Sequence, residues 1–119
     1  MKPGIKLFIE TENGEGFLGD GRFRLLRKID ETGSIRQASR ELSRGYRKAW
    51  GDINRLEKRL GRKVVIRSRG GCGGGSARLT DFGREMLQAW ERYRREVYRE
   101  AEDLYRSHME EIIEEGEER

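Results

Sequence analysis

Two short helical patterns of apolar residues lie close together in the middle of the chain, between Ser34 and Leu60. We expect one helix from Ser34 to Leu42 and a second from about Tyr46 onward, joined by a tight turn near Ser43 to Gly45. The apolar positions recur at helical spacing: Ile35, Ala38 and Leu42 in the first helix, and Ala49, Ile53, Leu56 and Leu60 in the second. Two helices connected this closely are typical of a helix-turn-helix.

A further helical pattern precedes this pair and shares a corner with it. We predict a helix from roughly Gly21 to Glu31, with Asp20 as its N-cap. Its apolar stripe consists of Leu25, Leu26 and Ile29, with Phe23 as an additional candidate. Gly33 predicts a left-handed helix end, and Ser34 directly after it is a favourable N-cap for the next helix.

Segments with strand patterns lie on both sides of the three helices. Before them, Ile5 to Thr11 alternates in part, and Asn13-Gly14 is a common turn before a short return strand at Gly16 to Gly19. After them, Gly61 is a further helix-end signal and residues 63–69, KVVIRSR, predict a β-branched strand.

A glycine-rich loop, Gly70 to Gly75, separates that strand from a return strand at Ser76 to Leu79. A hairpin with a long tip directly behind a helix-turn-helix is a wing. The predicted fold is therefore mainly α with a small β wing: a winged helix-turn-helix with an N-terminal β-hairpin and a long C-terminal helix.

The long helix is predicted to begin at Thr80-Asp81 and to fade near Gly116. Its apolar series follows a period of eleven residues per three turns: Phe82, Met86, Trp90, Tyr93, Val97, Ala101, Leu104, His108 and Ile112. A helix this long cannot bury its whole stripe on so small a domain, so we expect a homodimer through it. The alternative is a helix that folds back over its own domain.

The basic and acidic residues are distributed unevenly between the part of the chain before the long helix and the long helix itself. Residues 1–79 hold 19 Lys and Arg against 9 Asp and Glu, a net of +10, and residues 80–119 hold 7 against 13, a net of −6. We therefore expect a DNA-binding domain at 1–79 and a dimerisation helix at 80–119, since a basic body indicates a polyanionic partner. A solvated surface of mixed charge is the plainer explanation of the composition.

The scarcity of cysteine and histidine restricts the chemistry. The single Cys72 excludes an internal disulfide framework, and with the single His108 it argues against a zinc site. No apolar run is long enough to span a membrane and the N-terminus is too polar for a secretory signal, so we expect a cytoplasmic protein. The carboxylates show no paired arrangement for acid–base catalysis, and we expect no enzyme activity and no cofactor. The glycine cluster lacks the Lys of a phosphate-binding nucleotide loop.

Several motifs occur together in the chain: Leu25, Leu26 and Ile29; residues 31–35, ETGSI; Ala38; residues 46–50, YRKAW; Asn54; the wing glycines; residues 77–80, ARLT; and Phe82-Gly83. Together they resemble the N-terminal DNA-binding domain of the ModE family of molybdate-responsive regulators, a winged helix-turn-helix of the LysR type. The match covers roughly residues 5–100.

The resemblance implies a dimeric transcriptional regulator that binds a palindromic operator. Full-length members have C-terminal domains that bind molybdate or tungstate, and because the chain ends after the long helix we expect no oxyanion effector on it. Gly45 stands where the family usually has Ser, and Ser43 is the candidate to cap the second helix instead.

The predicted DNA-binding residues lie at the helix-turn-helix and on the wing: Ser34, Arg36, Arg44, Tyr46, Arg47, Lys48, Arg67, Arg69 and Arg78. Lys and Arg bind phosphates, with Arg40 and Arg55 as further candidates, and Ser34 can bind one at a helix N-terminus or act as a plain N-cap. Arg69 and Arg78 would reach the minor groove from the ends of the wing.

Base recognition is expected from the first turns of the second helix, from Arg44, Tyr46 and above all Arg47. Lys48 is expected on the backbone. Tyr46 can face DNA or pack against Trp50 one turn later, and Trp50 is expected in or near the core.

Two other functions fit the same sequence. One is a non-specific, chromatin-type DNA-binding protein. The other is a protein-interaction module in which the acidic helix from Glu100 onward recruits a partner. Cys72 at the wing tip is either a redox-sensing thiol beside arginines or an incidental surface thiol.

Overall fold

The computed structural model describes residues 1–68 and 75–117 of the 119-residue chain. In these two stretches the elements are β1 (Phe8–Glu10), β2 (Gly16–Gly19), α1 (Asp20–Thr32), α2 (Ile35–Glu41), α3 (Tyr46–Leu60), β3 (Val65–Ser68), β4 (Ser76–Leu79), α4 (Asp81–Tyr105), a π-helical turn (Arg106–Glu110) and α5 (Glu111–Glu117). The predicted winged helix-turn-helix with an N-terminal hairpin and a long C-terminal helix is confirmed.

The N-terminal hairpin pairs β1 with β2 in antiparallel register, with Ile9 opposite Leu18 and an irregularity between Ile9 and Glu10. Its loop is closed by the amide of Gly14, which donates to the Thr11 carbonyl at 2.9 Å. Gly14 has φ +85°, a conformation that glycine adopts without a Cβ clash. The turn lies where the sequence places it, but β1 is shorter than the strand predicted at Ile5 to Thr11.

Helix α1 begins one residue earlier than predicted, and Asp20 is not its N-cap. The capping position is Gly19, which forms no side-chain cap bond. The Asp20 carboxylate instead accepts hydrogen bonds from Trp90 Nε1 at 3.2 Å and Arg94 Nε at 3.1 Å, both on α4. A partner 70 residues away in the sequence therefore overrides the local capping preference.

The corner between α1 and α2 follows the predicted chemistry. Gly33 has φ +71° and donates its amide to Ile29 O, and the Ser34 hydroxyl accepts the amide of Gln37 at 3.1 Å. Lys28 on α1 also donates to Glu41 on α2 at 3.3 Å. This hydrogen bond, with the attraction of Glu41 and Glu31, raises the pKa of Lys28 above its usual value.

The two wing strands are antiparallel, with Val65 opposite Leu79 and Ser68 opposite Ser76. The Ala77 amide donates to Gly33 O at 2.8 Å and attaches the wing to the corner between α1 and α2. The Thr80 amide donates to Val64 O at 2.9 Å and closes the base of the wing hairpin. The predicted glycine loop lies for the most part in residues 69–74, outside the described residues, as does Cys72.

One hydrophobic core joins the helices, the wing and the start of α4. Its buried residues are Leu18, Phe23, Leu25, Leu26, Ile29, Ile35, Ala38, Ala49, Ile53, Leu56, Val64, Val65, Ala77, Leu79, Leu87 and Trp90. Gly83 permits the close approach of α4, because a Cβ there would lie 2.4 Å from Val64 O. Trp90, which the sequence assigns to the stripe of the long helix, is buried and stacks on Phe23 with 4.6 Å between ring centroids.

Helix α4 leaves the body after Tyr98, whose hydroxyl donates to Ile5 O at 2.7 Å. From there the helix, the π turn and α5 form a rod that gives the molecule its extents of 66 × 31 × 22 Å. The radius of gyration is 18.6 Å, against about 13.5 Å for a compact chain of this length. Over the described residues, no helix is long and apolar enough to cross a membrane.

Candidate nucleic-acid interface

The turn between α2 and α3 is tight and is built from backbone hydrogen bonds. The amide of Arg44 donates to Ser39 O at 2.8 Å, and Ser43 adopts φ +52°. The N-cap of α3 is Gly45, with no side-chain cap bond. Ser43 therefore does not cap this helix, because its left-handed backbone belongs to the turn that precedes the capping position.

The outward face of α3 presents Arg47, Gly51, Asn54 and Lys58, spaced four, three and four residues apart. Arg47, Asn54 and Lys58 are exposed and Gly51 is half-buried, while Ala49, Ile53 and Leu56 face the core. Residues at this spacing share one side of a helix. We call these four residues the α3 reading face. Arg47 is among the DNA-binding residues predicted from the sequence; Asn54 and Lys58 are not, although the helix period alone places them beside it.

Arg44 is held inside the fold. Its side chain is 19% exposed, and it pairs with Asp52 at 3.2 Å and donates to Gly21 O at 3.3 Å. Asp52, with a side chain 10% exposed, also pairs with Arg55 at 2.9 Å. This geometry favours a role for Arg44 in holding α1 and α3 together over the base contact that the sequence predicts.

Two predicted residues on the wing side of α3 contact aromatic rings. The Arg67 guanidinium on β3 lies 3.4 Å from the Trp50 ring centroid, and the Arg36 guanidinium on α2 lies 4.3 Å from the Tyr46 centroid. Tyr46 meets Trp50 edge to face, with 6.4 Å between centroids. Tyr46 is 37% exposed, so it packs against Trp50 and remains accessible from outside.

Among the residues that the structure describes, the other predicted site residues take no part in these ion pairs and ring contacts. Lys48 on α3 and Arg78 on β4 are exposed, and neither forms an ion pair in the part of the chain that the structure describes. Ser34 is half-buried and caps α2. Arg69 lies outside the described residues.

Glu57 was not singled out by the sequence, yet it attaches the wing to α3. Its carboxylate accepts the amides of Val64 at 2.8 Å and Val65 at 3.2 Å, and it pairs with Lys63 at 3.5 Å. Its side chain is 11% exposed. The two acids of α3 are therefore both engaged within the fold, Asp52 by arginines and Glu57 by the wing backbone.

Helix α3 presents exposed basic side chains, Arg47, Lys48 and Lys58, and an α-helix has the width that fits a DNA major groove. A helix-turn-helix with a two-stranded hairpin directly behind it defines a winged helix-turn-helix protein. The sequence pattern of the bacterial regulatory helix-turn-helix proteins, lysR family, matches residues 21–84. The chain belongs to this family.

The chain is also similar to individual bacterial proteins. The chain is 31% identical over 109 residues to the molybdenum transport protein ModE of Azotobacter vinelandii, which covers 92% of this chain and 37% of that protein. It is 35% identical over 75 residues to the DNA-binding transcriptional dual regulator ModE of Escherichia coli, 63% of this chain and 29% of that protein. The chain thus spans little more than a third of its curated relatives at most, and the resemblance to the ModE DNA-binding region is confirmed.

A solved structure supports the fold. The crystal structure of ArgP from Mycobacterium tuberculosis superposes with a TM-score of 0.50 at 22% identity, covering 60% of this chain and 25% of that one.

Proposed function

We propose that this protein is a sequence-specific, DNA-binding transcriptional regulator that reads its site with α3. The observation that carries this proposal is the α3 reading face, which is exposed and has no carboxylate, since Asp52 and Glu57 are turned to other partners. A cationic, uncapped helix start is suited to the negative potential of a DNA groove.

Within the reading face, we assign Arg47 to bidentate contact with guanine and Asn54 to adenine, the pairings that their planar donor and acceptor groups favour. Gly51 lies between them and adds no side chain, which permits close approach of the helix backbone. Lys48 and Lys58 contact phosphates on either side. Tyr46, at the edge of the same helix, contacts sugar or a thymine methyl.

The remaining contacts position the protein without reading bases. We assign phosphate contacts to Arg36, Arg67 and Arg78, and to Arg69 on the basis of its place in the sequence. Ser34, at the start of α2, is assigned to a phosphate in addition to its observed capping bond, because amides at a helix N-terminus favour an anion.

We further propose a homodimer through α4, in the cytoplasm, with residues 1–79 as the DNA-binding part and residues 80–119 as the dimerisation helix. An apolar groove along α4, lined in part by Tyr93, Val97, Ala101 and Leu104, supports the dimer. Leu104 is 54% exposed and Ile112 is 65% exposed. We assign no catalytic role, cofactor or oxyanion effector to these residues.

The experiment that tests base reading compares Arg47→Ala with Lys63→Ala. Fragments bound by the wild-type protein are selected from a random duplex pool, and each variant is titrated against the selected duplex and a scrambled one. Arg47→Ala is expected to cost about 1–3 kcal/mol on the selected duplex and to relax the preference for it. Lys63→Ala is expected to change the affinity for the selected duplex little, because Lys63 is 78% exposed and lies off the reading face.

Equal losses for the two variants would show that the basic surface as a whole, and not α3, determines binding. Equal affinity of the wild-type protein for all duplexes would contradict sequence specificity and support the alternative of a non-specific DNA-binding protein. A folded protein with no affinity for DNA at low salt would leave the protein-interaction module.

A further inference from the structure

Two arginines at the interface are held by aromatic rings instead of carboxylates. The contacts join Arg36, Tyr46, Trp50 and Arg67 into a continuous row that crosses from α2 over α3 to β3, with a guanidinium at each end. We call it the arginine–aromatic row. It lies on the flank of α3 that faces the wing, beside the reading face.

Whether an arginine contacts a carboxylate or an aromatic ring determines whether it can still bind an anion. Arg44 and Arg55 share Asp52, which offsets their charge and occupies their N–H donors. Across residues 1–68 and 75–117, neither Arg36 nor Arg67 forms an ion pair. A ring has neither a net charge nor carboxylate oxygens, so a guanidinium that lies over one keeps its charge uncompensated and its N–H donors unbound by a carboxylate.

An arginine on a ring is therefore oriented and still able to bind an anion. Orientation before binding reduces the side-chain entropy lost when a long, flexible side chain is immobilised on its ligand. The planar guanidinium, with parallel N–H groups along its edge, also matches the oxygens of a phosphate. Arg36 and Arg67 are therefore suited to bind a phosphodiester, whereas Arg44 and Arg55 are already occupied by the Asp52 carboxylate.

We propose that the row is a two-point phosphate clamp in which Trp50 and Tyr46 are positioning residues. Trp50 orients Arg67 and Tyr46 orients Arg36, and the two guanidinium groups bind backbone phosphates of the duplex that α3 reads. The clamp rests on the proposed DNA-binding function. It gives Trp50 and Tyr46 a role in phosphate binding that is separate from base recognition by α3. It also sets the position of the wing relative to α3, since Arg67 belongs to the wing.

Substitutions that keep the charge but remove the planar group test the clamp most directly. Arg67→Lys and Arg36→Lys are each expected to weaken binding to the selected duplex about fivefold, because a lysine stacks poorly and binds phosphate as a point charge. Trp50→Phe is expected to bind nearly as well as wild type. The matched control is Arg62→Lys, since Arg62 stacks on Phe82 at 4.1 Å at the far end of α3.

A double-mutant cycle then separates positioning from folding. Trp50→Ala is expected to weaken binding by the same factor as Arg67→Lys, and the double variant to bind no worse than either one, because the ring acts through the arginine. Thermal unfolding is followed for every variant. If Trp50→Ala unfolds, Arg67→Lys still carries the test, since it leaves the ring in place.

Wild-type affinity for Arg67→Lys, effects that multiply in the double variant, or an equal loss for Arg62→Lys would each overturn the clamp. These results leave the proposed function standing as long as the wild-type protein still prefers its selected duplex. No binding of any duplex by the wild-type protein would overturn both.

Discussion

At the scale of single residues, the most informative position of the reading face is the one without a side chain. Gly51 lies in the interior of α3, where glycine is less favourable than alanine. The three heavy atoms nearest to a Cβ there would all belong to the end of the flexible Arg55 side chain, the first at 3.3 Å. The nearest atoms can therefore move to accommodate a side chain at this place, and the close approach of DNA that we propose is a reason for a glycine here.

Gly51→Ala is expected to raise the free energy of unfolding by about 0.5–1 kcal/mol and to weaken binding to the selected duplex. Chemical denaturation and duplex titration measure the two effects. Gly116→Ala, with nothing within 4 Å of its Cβ, is the control and should leave DNA affinity unchanged. A stabilised Gly51→Ala that binds at wild-type strength would show that DNA does not approach α3 here.

Residues whose role depends on their sequence neighbours were predictable from the sequence. Gly33 and Gly61 end helices in the left-handed conformation, and Ser34 and Thr80 cap the helices that follow them. The roles of residues that depend on a partner distant in the sequence were not predictable in this way. No local rule shows that Asp20 will meet Trp90 and Arg94, or that Arg44 will turn inward to Asp52 and Gly21 O.

At the scale of elements, the wing is held by a side chain of α3. The amides of Val64 and Val65 lie at the start of β3, and the Glu57 carboxylate accepts both. The position of the wing thus depends on α3 itself. The sequence predicted both elements, but the bond between them follows only from their packing.

Glu57→Ala is expected to lower the free energy of unfolding by about 1–3 kcal/mol, because two partly buried amides lose their acceptor. Denaturant unfolding measures the loss, and amide exchange at Val64 and Val65 should be faster. The control is Glu15→Ala, which removes an acid 66% exposed and paired with Arg59, an interaction that contributes little. A loss no larger than that of the control would mean that the wing is held by its strand contacts alone.

The long helix differs from its prediction in one turn. The apolar series suggested a regular helix, but residues 106–110 form a π turn, in which each hydrogen bond spans one residue more. Periodicity reports which face is apolar and does not report the width of a single turn, so this feature was not visible in the sequence. Leu104, Met109 and Ile112 remain exposed on either side of it.

At the scale of the whole molecule, the rod carries apolar side chains that remain exposed in the described part of the chain. We expect Leu104→Lys to shift a dimer to monomer in sedimentation velocity at equal micromolar concentration, because a buried ammonium at the contact is costly. Glu102→Gln raises the net charge by the same amount and lies on another side of the helix, so it should remain dimeric. A dimer that survives Leu104→Lys would place the contact elsewhere.

The separation between the basic body and the acidic rod has a consequence for the approach to DNA. Residues 100–117 hold eight acidic residues and one basic one, and they lie on the rod beyond the body. In the field of a duplex the basic body is attracted and the acidic rod is repelled, so the molecule is aligned with its body towards the DNA before any contact forms. Because charges are screened over about 8 Å at physiological ionic strength, this alignment acts only in the last nanometre of the encounter.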